Sequence, residues 1–214
     1  MIKAVIFDLD GTLTDSDRVH FKVFQDFFAK KGISLDRETY RKKISGRQNS
    51  AILADFLPKL SAEEGEAFSA KKEANFRELA KGSLSPLPGL MDLLQQLADK
   101  GLAAAVVTNA PPENAAFMLG ELGLSDAFDP VVIGDDLPRG KPDPLPYQTA
   151  LDKLGVMADE AIAFEDSRAG IRSATGAGIK TIGIMTTHDE ADLLDVGVVK
   201  AIANFTDPYI QTLI

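Results

Sequence analysis

The stretch Ala4-Val5-Ile6-Phe7-Asp8-Leu9-Asp10-Gly11-Thr12 decides how the whole chain is read. Four consecutive apolar side chains suit a strand buried on both faces, as in the interior of a parallel sheet. The strand runs out on an acid. A second acid two residues later is followed by glycine, so the first carboxylate leaves a rigid strand and the second sits on a tight turn. Two acids at that spacing can divide the work, one attacking as a nucleophile and the other moving protons.

Downstream the periodicity changes. Val19, Val23, Phe24, Phe27 and Phe28 recur at helical spacing, and Gly32 supplies a C-terminal cap. The phenylalanine stripe reads as core. Further helices are expected over 38–44, 50–56 and 62–81, the last opened by Ser61-Ala62-Glu63-Glu64, a capping-box pattern. No strand signal interrupts them, and Gly82-Ser83-Leu84-Ser85-Pro86-Leu87-Pro88-Gly89 then breaks regular structure as a linker.

Beyond the linker, helix and strand alternate. Strands are expected at 103–107, 131–133, 161–164 and 181–184 and near Ala201, with helices running to Lys100, through Leu122, through Leu154 and near Gly170. The expected fold class is therefore α/β: a Rossmann-like, mostly parallel sheet core with an inserted small α-helical domain. Residues 1–15 and 85–214 form the core in this reading, and 16–84 the insert.

The chain has 214 residues, 45% of them hydrophobic, enough to bury a sizeable core. Its net charge of -9 is spread without a basic stripe, which argues against nucleic acid or an anionic membrane as partner and favours a small ligand. No cysteine is present, so disulfides and thiolate metal sites are excluded. Met1-Ile2-Lys3 leads straight into the apolar run, unlike a signal peptide, and no apolar stretch approaches the ~20 residues of a membrane span. A cytoplasmic monomer is the expectation.

In open α/β sheets, ligands gather beyond the carboxyl ends of the strands. The polar residues there are Asp8 and Asp10, Thr108 and Asn109, and Glu165 and Asp166, with Lys141 in the Gly140-Lys141-Pro142 loop. Several carboxylates brought together repel, and all-oxygen ligands favour magnesium as the balancing cation. A lysine and a hydroxyl nearby suit a phosphate.

These segments resemble the four motifs of the haloacid dehalogenase superfamily. Asp8-Leu9-Asp10-Gly11-Thr12-Leu13-Thr14-Asp15-Ser16 is similar to the first, Val107-Thr108-Asn109 to the second, Gly140-Lys141-Pro142 to the third and Phe164-Glu165-Asp166-Ser167 to the fourth, in order and across essentially the whole chain. The resemblance implies that Asp8 attacks phosphorus to form an aspartyl-phosphate, while Asp10 protonates the leaving oxygen and later activates the acceptor. It implies that Thr108 and Lys141 bind phosphoryl oxygens, and that Asp8, the Asp10 carbonyl and Asp166 hold Mg2+, with Glu165 helping directly or from one layer out.

The insert occupies the position of the superfamily's small cap, with hinges expected near Ser16 and Ser85. There the resemblance is to the β-phosphoglucomutase-like branch and the sugar-phosphate phosphatases. His20, Arg47 and Lys72 stand where that branch has substrate-facing residues, and Asn109 joins them as a substrate-binding candidate. His188 reads as a surface residue.

The implied function is a phosphatase acting on a small phosphorylated metabolite, such as a sugar phosphate. A β-phosphoglucomutase-like mutase and a phosphoglycolate phosphatase are the alternatives, and a non-enzymatic phosphoacceptor domain a remote one. Asp10 argues against a dehalogenase, because relatives that attack carbon generally lack that acid.

Overall fold

The strand β1 (Ala4–Phe7) is completely buried and lies inside a six-stranded sheet. Its alternate side chains serve two cores, Val5 and Phe7 on one face and Ala4 and Ile6 on the other, which is why the run carries no polar residue. The computed structural model describes all residues from 1 to 214. The other strands are β2 (Ala103–Thr108), β3 (Val131–Ile133), β4 (Ala161–Glu165), β5 (Lys180–Ile184) and β6 (Lys200–Ile202). They are ordered β3-β2-β1-β4-β5-β6, every neighbour parallel.

Phe7 lies opposite Val106 on one side and Phe164 on the other. The Asp8 amide then donates to the Phe164 carbonyl at 3.0 Å, carrying the ladder one residue past the strand. The chain builds outward from β1 to β3 before crossing back to place β4 beside β1. That reversal makes a topological switch point between β1 and β4, where a crevice opens beyond the strand ends.

Helices cover both faces. α5 (Leu90–Asp99), with Leu90, Leu93 and Leu97, packs on the Val5–Phe7 side, joined by Ala115, Met118 and Leu119 of α6 (Pro112–Glu121). α7 (Leu145–Leu154) brings Tyr147, Ala150 and Leu151 to the opposite face, where Ala174 of α8 (Arg168–Gly176) joins it. The result is the three-layer arrangement expected from the alternation of elements.

Between β1 and α5 the chain forms α1 (Asp17–Ala29), α2 (Arg37–Lys43), α3 (Asn49–Phe56) and α4 (Ala62–Ala80), with no strand. The aromatic stripe of α1 is split. Phe24 and Phe28 join Leu35, Tyr40, Ile44 and Ile52 in a cluster of the helical segment's own, while Val23 and Phe27 meet Phe76 and Ala80 in the main core cluster. At the start of α4 both arms of the capping box form, Glu64 N–H to Ser61 Oγ at 3.2 Å and Ser61 N–H to Glu64 Oε2 at 2.8 Å.

Two departures from the sequence reading concern the same stretch. α9 (Glu190–Asp195) gives no periodic signal because it is under two turns long; Asp189 caps it by accepting from the Asp192 N–H. His188 is not at the surface: it is 4% exposed, in the turn between β5 and α9, with Arg41 of α2 and Arg168 of α8 facing it. Burial pushes its imidazole below the usual histidine value, and a neutral ring is what such a site accommodates. No helix is long and apolar enough to cross a membrane.

Candidate active site

The ends of β1, β2 and β4 and the loop before α7 bring Asp8, Thr108, Lys141, Glu165 and Asp166 together, all at most 6% exposed. Lys141 is the hub. Its Nζ donates to Asp8 Oδ1 at 2.6 Å, to Glu165 Oε1 at 2.5 Å and to the Val107 carbonyl at 2.8 Å. Tyr147 Oη adds a hydrogen bond to Glu165 Oε1 at 2.9 Å, and Glu165 Oε2 accepts from the Ser167 hydroxyl at 3.2 Å. Ser167 Oγ in turn accepts the Gly170 N–H and caps α8.

Charge does not balance here. Asp8, Glu165 and Asp166 present carboxylate oxygens within 4.8 Å of one another, against one ammonium. Burial first, then the neighbouring Glu165 carboxylate, pushes Asp8 up to about 8 in spite of Lys141. Burial, with Asp8 and Glu165, likewise holds Asp166 well above the ordinary carboxylate value. Lys141 responds in the opposite sense: burial works against its charge, but Asp8 and Glu165 outweigh that and raise it above the usual lysine value.

The oxygens left over suggest how a cation fits. Glu165 is occupied by Lys141, Tyr147 and Ser167, whereas Asp8 commits Oδ1 alone and Asp166 commits Oδ2 to the Thr187 hydroxyl. Asp8 Oδ2 and Asp166 Oδ1 have no protein partner, and a hard, oxygen-seeking divalent ion matches that donor set. Gly11 keeps the approach narrow: its φ is +77°, and a Cβ there would overlap the Asp166 carboxylate. Thr186 Oγ1 fixes the same turn by donating to the Gly11 carbonyl at 2.6 Å.

Asp10 is set apart from this cluster. Its Oδ1 accepts from Ser16 Oγ at 2.6 Å and pairs with His20 Nε2 at 2.9 Å, and His20 stacks on Phe76 with ring centroids 3.9 Å apart. Burial acts to raise the Asp10 carboxyl, but His20, the Ser16 hydroxyl and the Lys72 charge outweigh it and hold it below its ordinary value. Asp8 and Asp10 thus sit in opposite electrostatic settings two residues apart.

Thr108 Oγ1 accepts the Ala110 N–H at 2.9 Å, which leaves its proton free to donate into the pocket it lines. Asn109 ties loops together: its amide holds both the N–H and the carbonyl of Lys141 and donates to the Gly46 carbonyl at 3.0 Å. Arg47 lines the pocket, yet its guanidinium donates to the carbonyls of Lys43 and Ala51 and to Asp55. Lys72 does not line the pocket. It is buried, 2.6 Å from Glu73 Oε1 and over the Phe24 ring at 4.5 Å.

Glu73, Asn114, Tyr147 and Thr187 escape the sequence reading, and Ser16, expected there as a hinge position, is also a hydrogen-bond partner of Asp10. Glu73 and Asn114 bridge the helical segment to α6. Asn114 donates to Glu73 Oε2 at 2.6 Å and accepts from Arg77 at 2.6 Å. A signal for this bridge exists in α4, where Lys72 shares the helix face of Phe76 and Ala80; a lysine on an apolar face needs a buried acid nearby.

Charged groups gathered at the switch point of a parallel sheet, beneath an inserted helical segment, are the architecture of Rossmann-like hydrolases. Residues 5–184 match the model of the haloacid dehalogenase-like hydrolases, and the chain belongs to that family. It is 35% identical over 199 residues to validoxylamine A 7'-phosphate phosphatase of Streptomyces hygroscopicus subsp. limoneus, covering 91% of this chain and 93% of that protein. It is 31% identical over 191 residues to β-phosphoglucomutase of Bacillus subtilis, covering 86% and 83%. Among solved structures, CbbY from Rhodobacter sphaeroides in complex with xylulose-(1,5)bisphosphate superposes with a TM-score of 0.83 at 29% identity, covering 97% of this chain and 96% of that one.

Proposed function

We propose that the protein is a Mg2+-dependent phosphatase that hydrolyses phosphate monoesters of small polyhydroxylated metabolites through an aspartyl-phosphate on Asp8. The observation that carries this reading is the pair of opposed acids: Asp8, held against Lys141 among further carboxylates, and Asp10, held apart by Ser16 and His20. Nucleophile and proton carrier need separate partners. The protein groups alone set Asp8 high and Asp10 low, against those roles, and in this reading Mg2+ beside Asp8 and an anionic ester beside Asp10 would reverse both.

Asp8 attacks phosphorus with one carboxylate oxygen. The bond to the leaving oxygen breaks as that oxygen takes a proton from Asp10. Asp10, now a carboxylate, removes a proton from water, whose oxygen attacks the same phosphorus and breaks its bond to Asp8. Inorganic phosphate leaves, and Asp8 and Asp10 regain their starting states. Thr108 donates to the phosphoryl oxygens. Lys141, whose three N–H groups are on Asp8, Glu165 and the Val107 carbonyl, contributes its charge, and His20 and Ser16 keep Asp10 aimed at the leaving group. Asp8, Asp166 and the Asp10 carbonyl would hold Mg2+, with Glu165 one layer out, and the ion would supply the positive charge the cluster lacks.

In this reading residues 16–84 act as a cap hinged near Ser16 and Ser85. The pocket between the helical segment and the sheet has room for about 70 Å³, under the ~300–1,000 Å³ of ligand pockets, so in this reading the cap parts from the core to admit an ester and then closes to limit water. Seating in the closed state comes from Gln48 on Asp135 at 2.7 Å, Asn109 on the Gly46 carbonyl and Asn114 on Glu73.

The test is phosphate release from a panel of sugar phosphates and phosphoglycolate, with and without Mg2+, beside a coupled assay for conversion of β-glucose 1-phosphate to glucose 6-phosphate. Magnesium-dependent release without isomerisation is the expected result. Rapid isomerisation primed by a bisphosphate, with little phosphate released, would replace hydrolysis by a mutase reaction.

A further inference from the structure

Away from the active site, the seam between the helical segment and the core holds a second polar cavity. Its volume is about 250 Å³, and it is lined by Arg41 and Lys42 of α2, Arg168 of α8, His188, and Asp192 of α9, with no apolar residue. None of these five lines the active-site pocket. We infer that this cavity binds a small phosphate-like oxyanion, and that the bound ion ties α2 to α8 and so holds the helical segment against the core. The binding site stands apart from the phosphatase reading; its effect on turnover rests on that reading.

His188 is the residue that points to a ligand. It is buried, it lines the cavity, and neither of its ring nitrogens has a hydrogen-bond partner. Asp192 Oδ2 lies 3.7 Å from Nδ1, beyond hydrogen-bond reach. Burial does most to keep the ring neutral, and the Arg41 and Arg168 charges act in the same sense against Asp192. A neutral imidazole carries one N–H, and a buried donor without a partner costs free energy that an acceptor in the cavity recovers.

The cations around it retain donors. Arg41 is half-buried, and its guanidinium makes no hydrogen bond or ion pair, so all five of its N–H groups are open. Arg168 spends two of its five, on the Asp192 carbonyl at 3.1 Å and on Asp195 Oδ2 at 2.8 Å. Lys42 pairs with Glu38 on the exposed side of α2. The one acid in the lining, Asp192, has an oxygen 4.0 Å from Arg168 Nη1, so it tempers the positive charge without satisfying Arg41 or His188. Two guanidinium forks and an imidazole N–H around a small volume suit a tetrahedral oxyanion. Arg41 stands on the helical segment, whereas Arg168 and His188 stand on the core. An ion shared by them is bound best when the two are together, and its binding shifts the molecule toward that arrangement.

The chain has two histidines, so the ring nitrogen NMR signals of His20 and His188 report the active site and the seam separately. The full chain without metal is titrated with inorganic phosphate at fixed pH and ionic strength. The His188 signals are expected to shift saturably with a midpoint of their own. Arg41→Gln should weaken that midpoint by about tenfold or more and leave the His20 response in place. Lys42→Gln, at an exposed position, should weaken it less and serves if the first variant folds poorly. His188 signals that stay still while those of His20 saturate, or that follow the His20 midpoint and ignore both substitutions, overturn the site. In turnover of p-nitrophenyl phosphate with Mg2+, phosphate should lower kcat as well as raise the apparent KM, and Arg41→Gln should keep only the second effect. Purely competitive inhibition of the unaltered enzyme overturns the hold on the helical segment. Absence of hydrolysis of every ester overturns the phosphatase reading, and the His188 signals decide the site in that case too.

Discussion

Two buried lysines do different work in the two halves of this molecule. At the sheet edge Lys141 holds two carboxylates and a carbonyl and stands between β1, β2 and β4. In the helical segment Lys72 holds one carboxylate, Glu73, which also has two amide donors of its own. The first lysine is the only counter-charge in an acid-rich cluster; the second neutralises an acid that is already solvated by protein. The proposed chemistry uses the unbalanced cluster, where a phosphate and a metal ion would complete the charge, whereas the balanced pair joins the helical segment to the rest of the molecule through Asn114.

Replacing each lysine by methionine, which keeps most of the stem volume, breaks or sharpens this contrast. Lys141→Met leaves two buried carboxylates facing each other and should lower unfolding free energy by about 3–5 kcal/mol, with loss of activity. Lys72→Met leaves Glu73 with both amides and should cost roughly half as much, on the order of 2 kcal/mol. Chemical denaturation of the two variants measures the difference, and equal costs would contradict the contrast.

A smaller effect distinguishes the same regions by pH. Asp8 takes up its proton near pH 8 in the folded protein against an ordinary value of 3.8, so between these the folded state binds more protons than the unfolded chain. Its contribution to stability is therefore complete below the lower value and is lost as pH rises through the upper one. A bound Mg2+ favours the ionised carboxylates and opposes that loss. Thermal unfolding should accordingly show a larger gain in Tm from Mg2+ near pH 8 than near pH 5, and a gain independent of pH would remove Asp8 from the metal site.

The smallest effect lies farthest from the chemistry. Ser61→Ala removes one arm of the α4 capping box and should cost about 1 kcal/mol, with kcat/KM for the best ester changed little. A denaturation midpoint shifted without a change in kinetics is the expected pattern.

The two regions were also unequally legible. The strand ends around Asp8, Thr108 and Glu165 follow apolar runs whose length and position fix where the next side chain emerges, so their convergence at one edge could be read from order alone. The capping box at Ser61 and the core stripe of α1 were readable for the same reason, being local patterns. The burial of Lys72, Glu73 and His188 depends on which helix faces which, and a charge in a sequence does not say whether it ends up inside. Glu73 and Asn114 are 41 residues apart, and their hydrogen bond exists only once the helical segment has docked. Tyr147 was hidden differently, as an aromatic on a core face whose hydroxyl happens to reach Glu165.

The central claim is that Asp8 carries the phosphoryl group, and acid-quenched mass spectrometry during turnover of a good ester with Mg2+ tests it most directly. The account predicts one phosphoryl adduct on the peptide containing Asp8, lost as substrate is exhausted, and no adduct with at least about a thousandfold lower turnover in Asp8→Asn. Substantial turnover in that variant, or an adduct on any other residue, would contradict it.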